Sequence, residues 1–305
     1  MSTHGLEPRR FWNVVGGHDP VLRVSPGDSV ATRTIDGDGF DEHGERVADE
    51  PNPLTGPILV EGAEPGDCLA VRIDRIAPNR RRGWSYRFLS PNVLEPGALG
   101  LAPEISGSGK YADWDIDLDR GTVTCVALSG PPPPPVLPLS PMLGCIGTAP
   151  PDGQAITTLT SGTWGGNMDY PGVRPGATIF LPVSARGALL YLGDGHAAQA
   201  DGEIGGVGVE VSMDVVVTLN VLKGKRIGWP RGEDADSIFA FGNARPLEDA
   251  LRIATTEMAR WLAGDYSLSP ERLALLFGQA ARYDLASVVS PAYTVVCRME
   301  KRHLG

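Results

Sequence analysis

A short motif centred on Pro-Gly occurs three times, and a run of β-forming residues follows each copy. The three copies contain Pro26-Gly27, Pro65-Gly66 and Pro175-Gly176. Proline presets φ at the first central position of a type II turn, and glycine tolerates the positive φ that the second position requires. Repeated tight turns that lead into strands favour an antiparallel sandwich or jelly roll.

Short runs rich in Val, Ile, Leu and Thr predict the strands themselves. We predict strands at Ser29–Ile35, Cys68–Ile76, Thr178–Val183, Ala188–Leu192, Gly208–Leu222 and Tyr293–Met299. In the second of these, Leu69, Val71 and Ile73 lie on one face, and Arg72 and Asp74 lie on the other. Such alternation is typical of strands that bury one face and expose the other. The turn at Ser184–Gly187 predicts that Thr178–Val183 and Ala188–Leu192 form a hairpin of adjacent antiparallel strands, which would bring Asp169 and His196 to the same end of the sheet.

Helical periodicity is confined to two segments near the C-terminal end, Pro246–Leu262 and Ser269–Arg282. Each has a proline suited to a first turn, and Ser269 is placed as an N-cap. We therefore predict a mainly β fold, an antiparallel β-sandwich or jelly roll with a small C-terminal helical pair. The proline-rich segment 130–141 is predicted to be an extended crossover within one domain of residues 1–305, with an interdomain linker as the alternative.

The charge balance excludes some classes of partner. The 305 residues include 27 Lys and Arg and 37 Asp and Glu, which gives a formal charge of −10. This balance argues against nucleic acid as a partner, because phosphates require clustered basic side chains. No run of 18 apolar residues predicts a membrane span, and Met1–Arg10 lacks the apolar region of a secretory signal. We expect a cytoplasmic protein.

The segment from Gly193 to Glu203 is the densest concentration of chemically active side chains. It holds three carboxylates, an imidazole and an amide, and it contains no Lys or Arg. Carboxylates crowded without basic partners repel one another unless a cation lies among them. Mixed oxygen and nitrogen ligands suit zinc, or a harder divalent ion if the histidine is not a ligand. A plain surface turn is the alternative.

Two further segments offer oxygen ligands. After the double glycine at 165–166, Asn167 and Asp169 lie on one side of an extended chain, although a capping or Asx turn would use the same residues. Asp36-Gly37-Asp38-Gly39 is similar to the start of a calcium loop, but no glutamate occupies the twelfth position of that pattern. Both segments remain candidates for a metal site.

Four segments together resemble the acetamidase/formamidase family in sequence and in order. They are Thr55–Asp67, Met142–Pro150, Gly165–Asp169 and Asp194–Glu203, and the similarity extends from about residue 12 to the last predicted strand. The resemblance implies a mainly β fold, a homo-oligomer, a divalent metal, and hydrolysis of short aliphatic amides to carboxylate and ammonia. Ala200 stands where the family usually has glycine.

Amide hydrolysis requires an activated water, a stabilised oxyanion and a protonated leaving nitrogen. We predict that Asp36, Asp169 and His196 hold the metal, which would be zinc or, as the alternative, calcium. His196 thus has a catalytic role through the metal, and Glu203 is predicted to be the acid/base.

Three residues are placed at the substrate. Asn167 and Gln199 are predicted to hold the amide by hydrogen bonds. Cys145 is either a rival nucleophile that forms a thioester or a small buried thiol, and attack by metal-activated water is favoured over covalent catalysis. Two other functions stay open: hydrolysis of a different amide or ester, and a non-catalytic β-sandwich that binds metal or carbohydrate.

Overall fold

A computed structural model describes residues 1–101, 107–128 and 130–304, and these residues form β-strands and two α-helices. The strands are β1 (Thr3–Leu6), β2 (Val14–Val15), β3 (Leu22–Val24), β4 (Ser29–Arg33), β5 (Thr55–Val60), β6 (Cys68–Pro78), β7 (Arg82–Tyr86), β8 (Tyr111–Asp117), β9 (Thr122–Cys125), β10 (Val136–Pro138), β11 (Met142–Gly147), β12 (Ile156–Thr157), β13 (Ser161–Gly162), β14 (Gly165–Asn167), β15 (Thr178–Pro182), β16 (Leu190–His196), β17 (Met213–Leu222), β18 (Arg231–Glu233), β19 (Ser237–Ala244), β20 (Arg282–Ser287) and β21 (Tyr293–Glu300). The helices are α1 (Leu247–Asp265) and α2 (Pro270–Gln279).

The strands form three larger sheets and one small pair. A nine-stranded sheet has the order β1-β4-β17-β6-β15-β18-β19-β21-β20, and a six-stranded sheet has the order β13-β14-β11-β16-β5-β3. A four-stranded sheet has the order β10-β9-β8-β7. The pairs are antiparallel in these sheets, except that β1 with β4 and β3 with β5 are parallel. The predicted mainly β fold is confirmed.

One hydrophobic core joins the three larger sheets. It includes Val71 and Val217 of the nine-stranded sheet, Leu143 and Leu192 of the six-stranded sheet, and Val123 of the four-stranded sheet. Apolar side chains that alternate along each strand meet between the layers, as in a sandwich. The alternation predicted in β6 is confirmed, because its apolar face is buried and its charged face is exposed.

The three Pro-Gly turns have the backbone that their sequence predicts. The glycines have φ values of 92° at Gly27, 95° at Gly66 and 90° at Gly176. A side chain at such a position would be strained, which explains why glycine stands there. Each turn leads into a strand, namely β4, β6 and β15.

The helical pair packs on one end of the nine-stranded sheet. Ala254, Met258 and Leu262 of α1 bury against Ala240 of β19 and Cys297 of β21. The N-cap predicted for α2 is present, because the side chain of the residue before Pro270 accepts a hydrogen bond from a first-turn amide. The second helix ends earlier than predicted, since the chain from 282 onward forms β20 and pairs with β21.

The proline-rich segment supplies one short strand, β10, which lies at the edge of the four-stranded sheet. An edge strand can contain proline because one of its sides needs no ladder hydrogen bond. The assignment of residues 1–305 to a single domain stays a prediction. Within the described ranges, neither helix combines the length and apolar character needed to cross a membrane.

The six-stranded sheet positions the polar residues. Strand β11 lies between β14 and β16, so residues after β14 and residues along β16 flank it on either side. We predicted that β15 and β16 form a hairpin, and this was wrong, because β15 lies in the nine-stranded sheet. Strand β16 also runs further than predicted, and Asp194 and His196 therefore belong to the strand itself.

Candidate active site

Four carboxylates and one imidazole converge at the end of β16. Asp169, His196 and Glu203 form one group whose ligand atoms all lie within 4.8 Å of one another. Asp194, His196 and Glu210 form a second group by the same criterion. The five side chains are buried, and none of the four carboxylates forms an ion pair with Lys or Arg in the part of the chain that the structure describes.

Different elements bring these side chains together. Asp169 follows β14, whereas Asp194 and His196 are two residues apart on β16. Strand β11 lies between β14 and β16 and therefore between Asp169 and the other two residues. Glu210 joins two sheets, because isolated β-bridges link it to His196 of β16 and to Trp84 of β7. The shared site predicted for Asp169 and His196 is present in the structure, but β11, rather than a β15–β16 hairpin, brings them together.

Four residues of the site have left-handed backbone. The φ values are 47° at Asn52, 45° at Asp169, 59° at Asp194 and 51° at Glu203. Non-glycine residues in this region cost of order 1–3 kcal/mol each in the backbone, and such residues concentrate at functional sites. Half of the eight non-glycine residues with positive φ in the described chain therefore belong to this one cluster.

Gly144 leaves the space that two of the carboxylates occupy. A Cβ atom at this position would lie 2.5 Å from both Asp169 Oδ1 and Asp194 Oδ2. Any side chain would therefore displace the carboxylates, and glycine lets their oxygens approach the backbone of β11. Sequence analysis included this glycine in a family segment but did not assign it a role.

Gln199 fixes the orientation of the histidine ring. Its Nε2 donates to the backbone carbonyls of Asp169 and Ala286, so its Oε1 can only accept from His196 Nδ1, at 2.8 Å. The proton on Nδ1 leaves Nε2 free for a ligand. Glu210 Oε1 lies 2.8 Å from Nε2, yet Nε2 has no hydrogen bond of normal geometry within the described residues.

Burial raises the proton affinity of the carboxylates. Desolvation, with repulsion from neighbouring carboxylates, raises the pKa of Glu203 to about 7 and that of Glu210 to about 8. Burial also raises the pKa of Asp169 well above its ordinary value. For His196, burial alone lowers the pKa, but the charges of Glu210 and Asp194 together outweigh it and raise the pKa. Without a cation, the cluster therefore retains protons at neutral pH.

Two asparagines support the carboxylates. Asn167 Nδ2 donates to Asp169 Oδ2 at 2.9 Å and to Ser290 Oγ at 3.3 Å. Asn52 Nδ2 donates to Asn167 Oδ1 at 2.7 Å and to Asp194 Oδ2 at 3.1 Å. Asn167 and Gln199, which were predicted to bind the amide, thus direct their hydrogen bonds to other protein groups in this structure.

The structure does not bring Asp36 into the cluster, which corrects its prediction as a metal ligand. Asp36 Oδ2 accepts hydrogen bonds from Trp84 Nε1 at 2.9 Å and from the Arg80 guanidinium. Asp36 Oδ1 accepts from the backbone amides of Asp38 and Phe40. Since protein donors occupy both oxygens, Asp36 organises its own turn and leaves no oxygen for a cation.

Sequence analysis missed Glu210 and Asn52 and gave Asp194 no role of its own. Glu210 carried a usable signal, because it is a single carboxylate within the apolar run from Val207 to Val211. Where both faces of such a run are buried, as they are here, the carboxylate is buried too and needs a partner. Asn52 carried no comparable signal, since its function depends on contacts distant in sequence.

Cys145 is buried beneath the cluster. It packs in a small hydrophobic cluster with Val15, Leu54 and Tyr191. Desolvation, reinforced by the charges of nearby carboxylates, raises the pKa of the Cys145 thiol well above its ordinary value. A neutral thiol is a poor nucleophile, so these surroundings are typical of a packing residue.

A cavity of about 380 Å³ opens onto the cluster. Asn167, Asp194, Glu203 and Glu210 all contribute to its lining. A concave site with convergent polar groups and shifted pKa values is the usual form of an enzyme active site. Small molecules therefore have access to the buried carboxylates.

Comparison with known proteins supports the resemblance seen in the sequence. The model of the acetamidase/formamidase family matches residues 19–154 and 152–248. The chain therefore belongs to the acetamidase/formamidase family, as predicted.

Individual relatives agree with this assignment. The acetamidase of Mycolicibacterium smegmatis is 30% identical, over 64% of this chain and 59% of that protein. Crystal structures of acetamidases from Yersinia enterocolitica and Bacillus halodurans are 30% and 31% identical, with TM-scores of 0.84 and 0.82. Each superposition covers 99% of this chain, with 93% and 100% of the respective relatives. The chain spans only 52% to 61% of the length of the curated relatives it matches.

Proposed function

We propose that the protein is an amidase that hydrolyses short primary amides, such as formamide and acetamide, to a carboxylate and ammonia. Family membership supports this chemistry, and the buried cluster supplies groups suited to it. The observation that carries the proposal is that two buried atoms of one cluster, Asp169 Oδ1 and His196 Nε2, have no hydrogen bond of normal geometry among the described residues, while carboxylate oxygens lie close to Nε2.

The cluster fits a divalent cation. We assign the ligands to Asp169, Asp194 and His196, because two of them offer unpartnered atoms and Gly144 leaves room for the two aspartates. Gln199 would hold His196 in the tautomer that presents Nε2, as partners of ligating histidines commonly do. Mixed carboxylate and imidazole ligands favour zinc, with calcium as the alternative.

A bound cation would lower the pKa of a water and polarise the amide carbonyl. Glu203 then moves the protons. Its Oε2 accepts from Ser287 Oγ at 2.9 Å, so we assign the mobile proton to Oε1. Glu203 takes a proton from the attacking water and gives it to the amide nitrogen. The carbon–nitrogen bond breaks, and ammonia leaves with its electron pair.

Without a cation, burial raises the pKa of Glu203 to about 7, and a bound cation would lower it toward the range of an ordinary carboxylate, which accepts a proton from water and passes it on. A general acid/base works best when its pKa lies near the operating pH, because both protonation states are then accessible. Glu210, whose Oε2 accepts the Gly37 amide at 3.2 Å, lies beside His196 and contributes further negative charge. The catalytic assignment of Glu203 made from the sequence is thus retained as part of the proposal.

Partners and location belong to the same proposal. We expect a small amide as the ligand, a homo-oligomer as the assembly and the cytoplasm as the location. The alternative functions, hydrolysis of another amide or ester and non-catalytic binding, are outcomes of the same assay.

The test is ammonia release from formamide, acetamide and propionamide by protein of known metal content. We expect turnover that a chelator abolishes and added zinc restores. His196→Ala should lower kcat/KM by more than about 100-fold and lower bound metal, since even indirect partners of ligands contribute roughly 10–100-fold. His43→Ala, at an exposed histidine, is the matched control and should stay within about twofold.

No turnover of any of these amides by folded, metal-loaded protein would refute the proposed activity. Full metal occupancy in the His196→Ala variant would refute the proposed ligand set.

A further inference from the structure

Aromatic side chains form one wall of the cavity, the aromatic wall. Trp84, Tyr86 and Phe88 all line it, and they occur at every second position along β7 and the residues that follow. The Trp84 and Tyr86 ring centroids are 5.6 Å apart, and the Tyr86 and Phe88 rings stack at 4.9 Å. Three contiguous rings therefore form one surface, and Lys110 Nζ lies 5.1 Å from the centroid of its Tyr86 ring.

Backbone hydrogen bonds tie this wall to the proposed active site. The Trp84 amide donates to the Glu210 carbonyl at 3.1 Å, and the Glu210 amide donates to the Trp84 carbonyl at 2.7 Å. Glu210 itself bridges to His196. The aromatic strand thus has a fixed position relative to the residues that we assign to catalysis.

The cavity is larger than a short amide requires. At about 30 Å³ for each water-sized group, the four heavy atoms of acetamide need on the order of 100 Å³. The cavity measures about 380 Å³, and Leu159, Val207, Val289 and Pro291 add further apolar lining. Much of its apolar surface would therefore make no contact with acetamide.

The charges that line the cavity indicate which acyl group could occupy the space that acetamide leaves empty. Asp38 and Glu50 belong to the lining, and no Lys or Arg does so among the described residues. An acyl group that carries a carboxylate would be repelled. A neutral ring avoids this repulsion and gains contact with the aromatic wall, since pairs of aromatic rings attract one another beyond the burial of their area.

We infer that this cavity takes primary carboxamides with an aromatic acyl group, such as benzamide and phenylacetamide, in preference to acetamide. The amide lies at Glu203 and the proposed cation ligands, and the ring lies against Tyr86 and Phe88. This inference rests on the proposed amidase function. The bond that breaks and the proton transfers are the same as for acetamide, and only the acyl group differs.

The experiment compares kcat/KM for acetamide, benzamide and phenylacetamide. One apolar group in a fitted pocket changes kcat/KM by roughly 10–200-fold, so the better aromatic amide should exceed acetamide at least about tenfold. Phe88→Ala should reduce this preference at least about fivefold. Phe277→Ala, at a half-buried phenylalanine of α2, is the matched control and should leave the preference unchanged.

A second variant fills the cavity instead of opening it. Leu159 is partly exposed at the cavity and has no role in the proposed chemistry. Leu159→Trp should lower kcat/KM for phenylacetamide and spare acetamide. Direct binding of phenylacetamide to wild type and Phe88→Ala, measured by calorimetry, gives a readout that does not depend on turnover.

The outcomes separate the two proposals. Efficient acetamide hydrolysis without an aromatic preference, or a preference that Phe88→Ala leaves unchanged, overturns the aromatic site and retains the amidase. Phe88-dependent binding of phenylacetamide without hydrolysis of any amide supports the aromatic site and overturns the amidase. Absence of both binding and hydrolysis overturns both.

Discussion

Two of the regions where the protein buries charge treat that charge differently. Under α1, Arg231 Nε donates to Glu257 Oε1 at 2.8 Å, and the guanidinium lies 5.1 Å from the ring centroid of Trp261. At the end of β16, four carboxylates surround His196 with no basic ion pair in the described chain. One region is an ion pair of opposite charges, and the other is an excess of negative charge.

The difference shows which buried charge needs an additional partner. A buried charge is costly unless it is paired and hydrogen-bonded. Arg231 Nε donates to Glu257 Oε1, and the Arg260 guanidinium lies 3.7 Å from Glu257 Oε2, so basic side chains of the protein balance the charge of this buried carboxylate. The carboxylates of the cluster are relieved only by retained protons or by a cation, which is why their pKa values are raised. The first region is a structural pair, and the second is the candidate for function.

The largest effect on stability that we expect from a single substitution comes from breaking the ion pair. Glu257→Gln keeps the shape of the side chain and leaves Arg231 buried without its counter-charge. Removing one partner of a buried pair costs about 3–5 kcal/mol, and chemical denaturation measures this loss. Amidase kcat/KM should be unchanged, because α1 packs on the nine-stranded sheet, away from the cluster.

The exposed pair of Asp249 and Arg252 on the same helix is the matched control. Arg252→Gln should cost between 0 and about 1 kcal/mol, as is usual for surface pairs. Equal losses from Glu257→Gln and Arg252→Gln would contradict the distinction between the two regions. A loss of bound metal in Glu257→Gln would contradict it as well.

The pH dependence of stability in chelated protein is a smaller effect for each pH unit. The folded pKa values of Glu203 and Glu210, about 7 and about 8, lie above those of the unfolded chain. The stability that they contribute is fully present below the unfolded pKa, near 4.5, and is lost as pH rises to about 8. The free energy of unfolding should fall by about 1 kcal/mol per pH unit for each carboxylate in this window.

Added zinc should reverse this trend, because ligands bind a cation in their deprotonated forms and binding therefore strengthens as pH rises. Glu203→Gln should flatten the slope of the chelated protein. Chelated protein that becomes more stable between pH 5 and pH 8 would contradict the excess of buried negative charge.

Much of the fold could be predicted from local sequence. The Pro-Gly turns, the alternation in β6 and the cap of α2 follow from rules that act within a few residues, and the structure confirms them. The pairing of β15 and β16 was predicted wrongly because a short connection also permits a crossing between sheets. Topology depends on contacts distant in sequence, which local patterns do not specify.

The site was predicted in part for the same reason. The family motifs and the lack of basic residues identified Asp169, His196 and Glu203, which the structure brings together. Asp36 had the right residue type, but Arg80 and Trp84, 44 and 48 residues away, occupy its carboxylate. Donors from distant strands cannot be recognised in a local pattern.

The smallest effect should come from Cys145, the neutral group buried beside the carboxylates. Its thiol faces the apolar cluster of Leu54 and Tyr191, and its Sγ has only a weak contact with a backbone carbonyl at 3.9 Å. Cys145→Ala should therefore cost about 1 kcal/mol of packing and preserve most amidase activity. Cys297→Ala is the matched control, because this cysteine is equally buried under α1. The two variants should lose similar stability and retain similar kcat/KM. Loss of turnover in folded Cys145→Ala alone, or an acyl adduct on Cys145 in mass spectrometry, would show that the thiol attacks the amide and that the negative cluster serves another step.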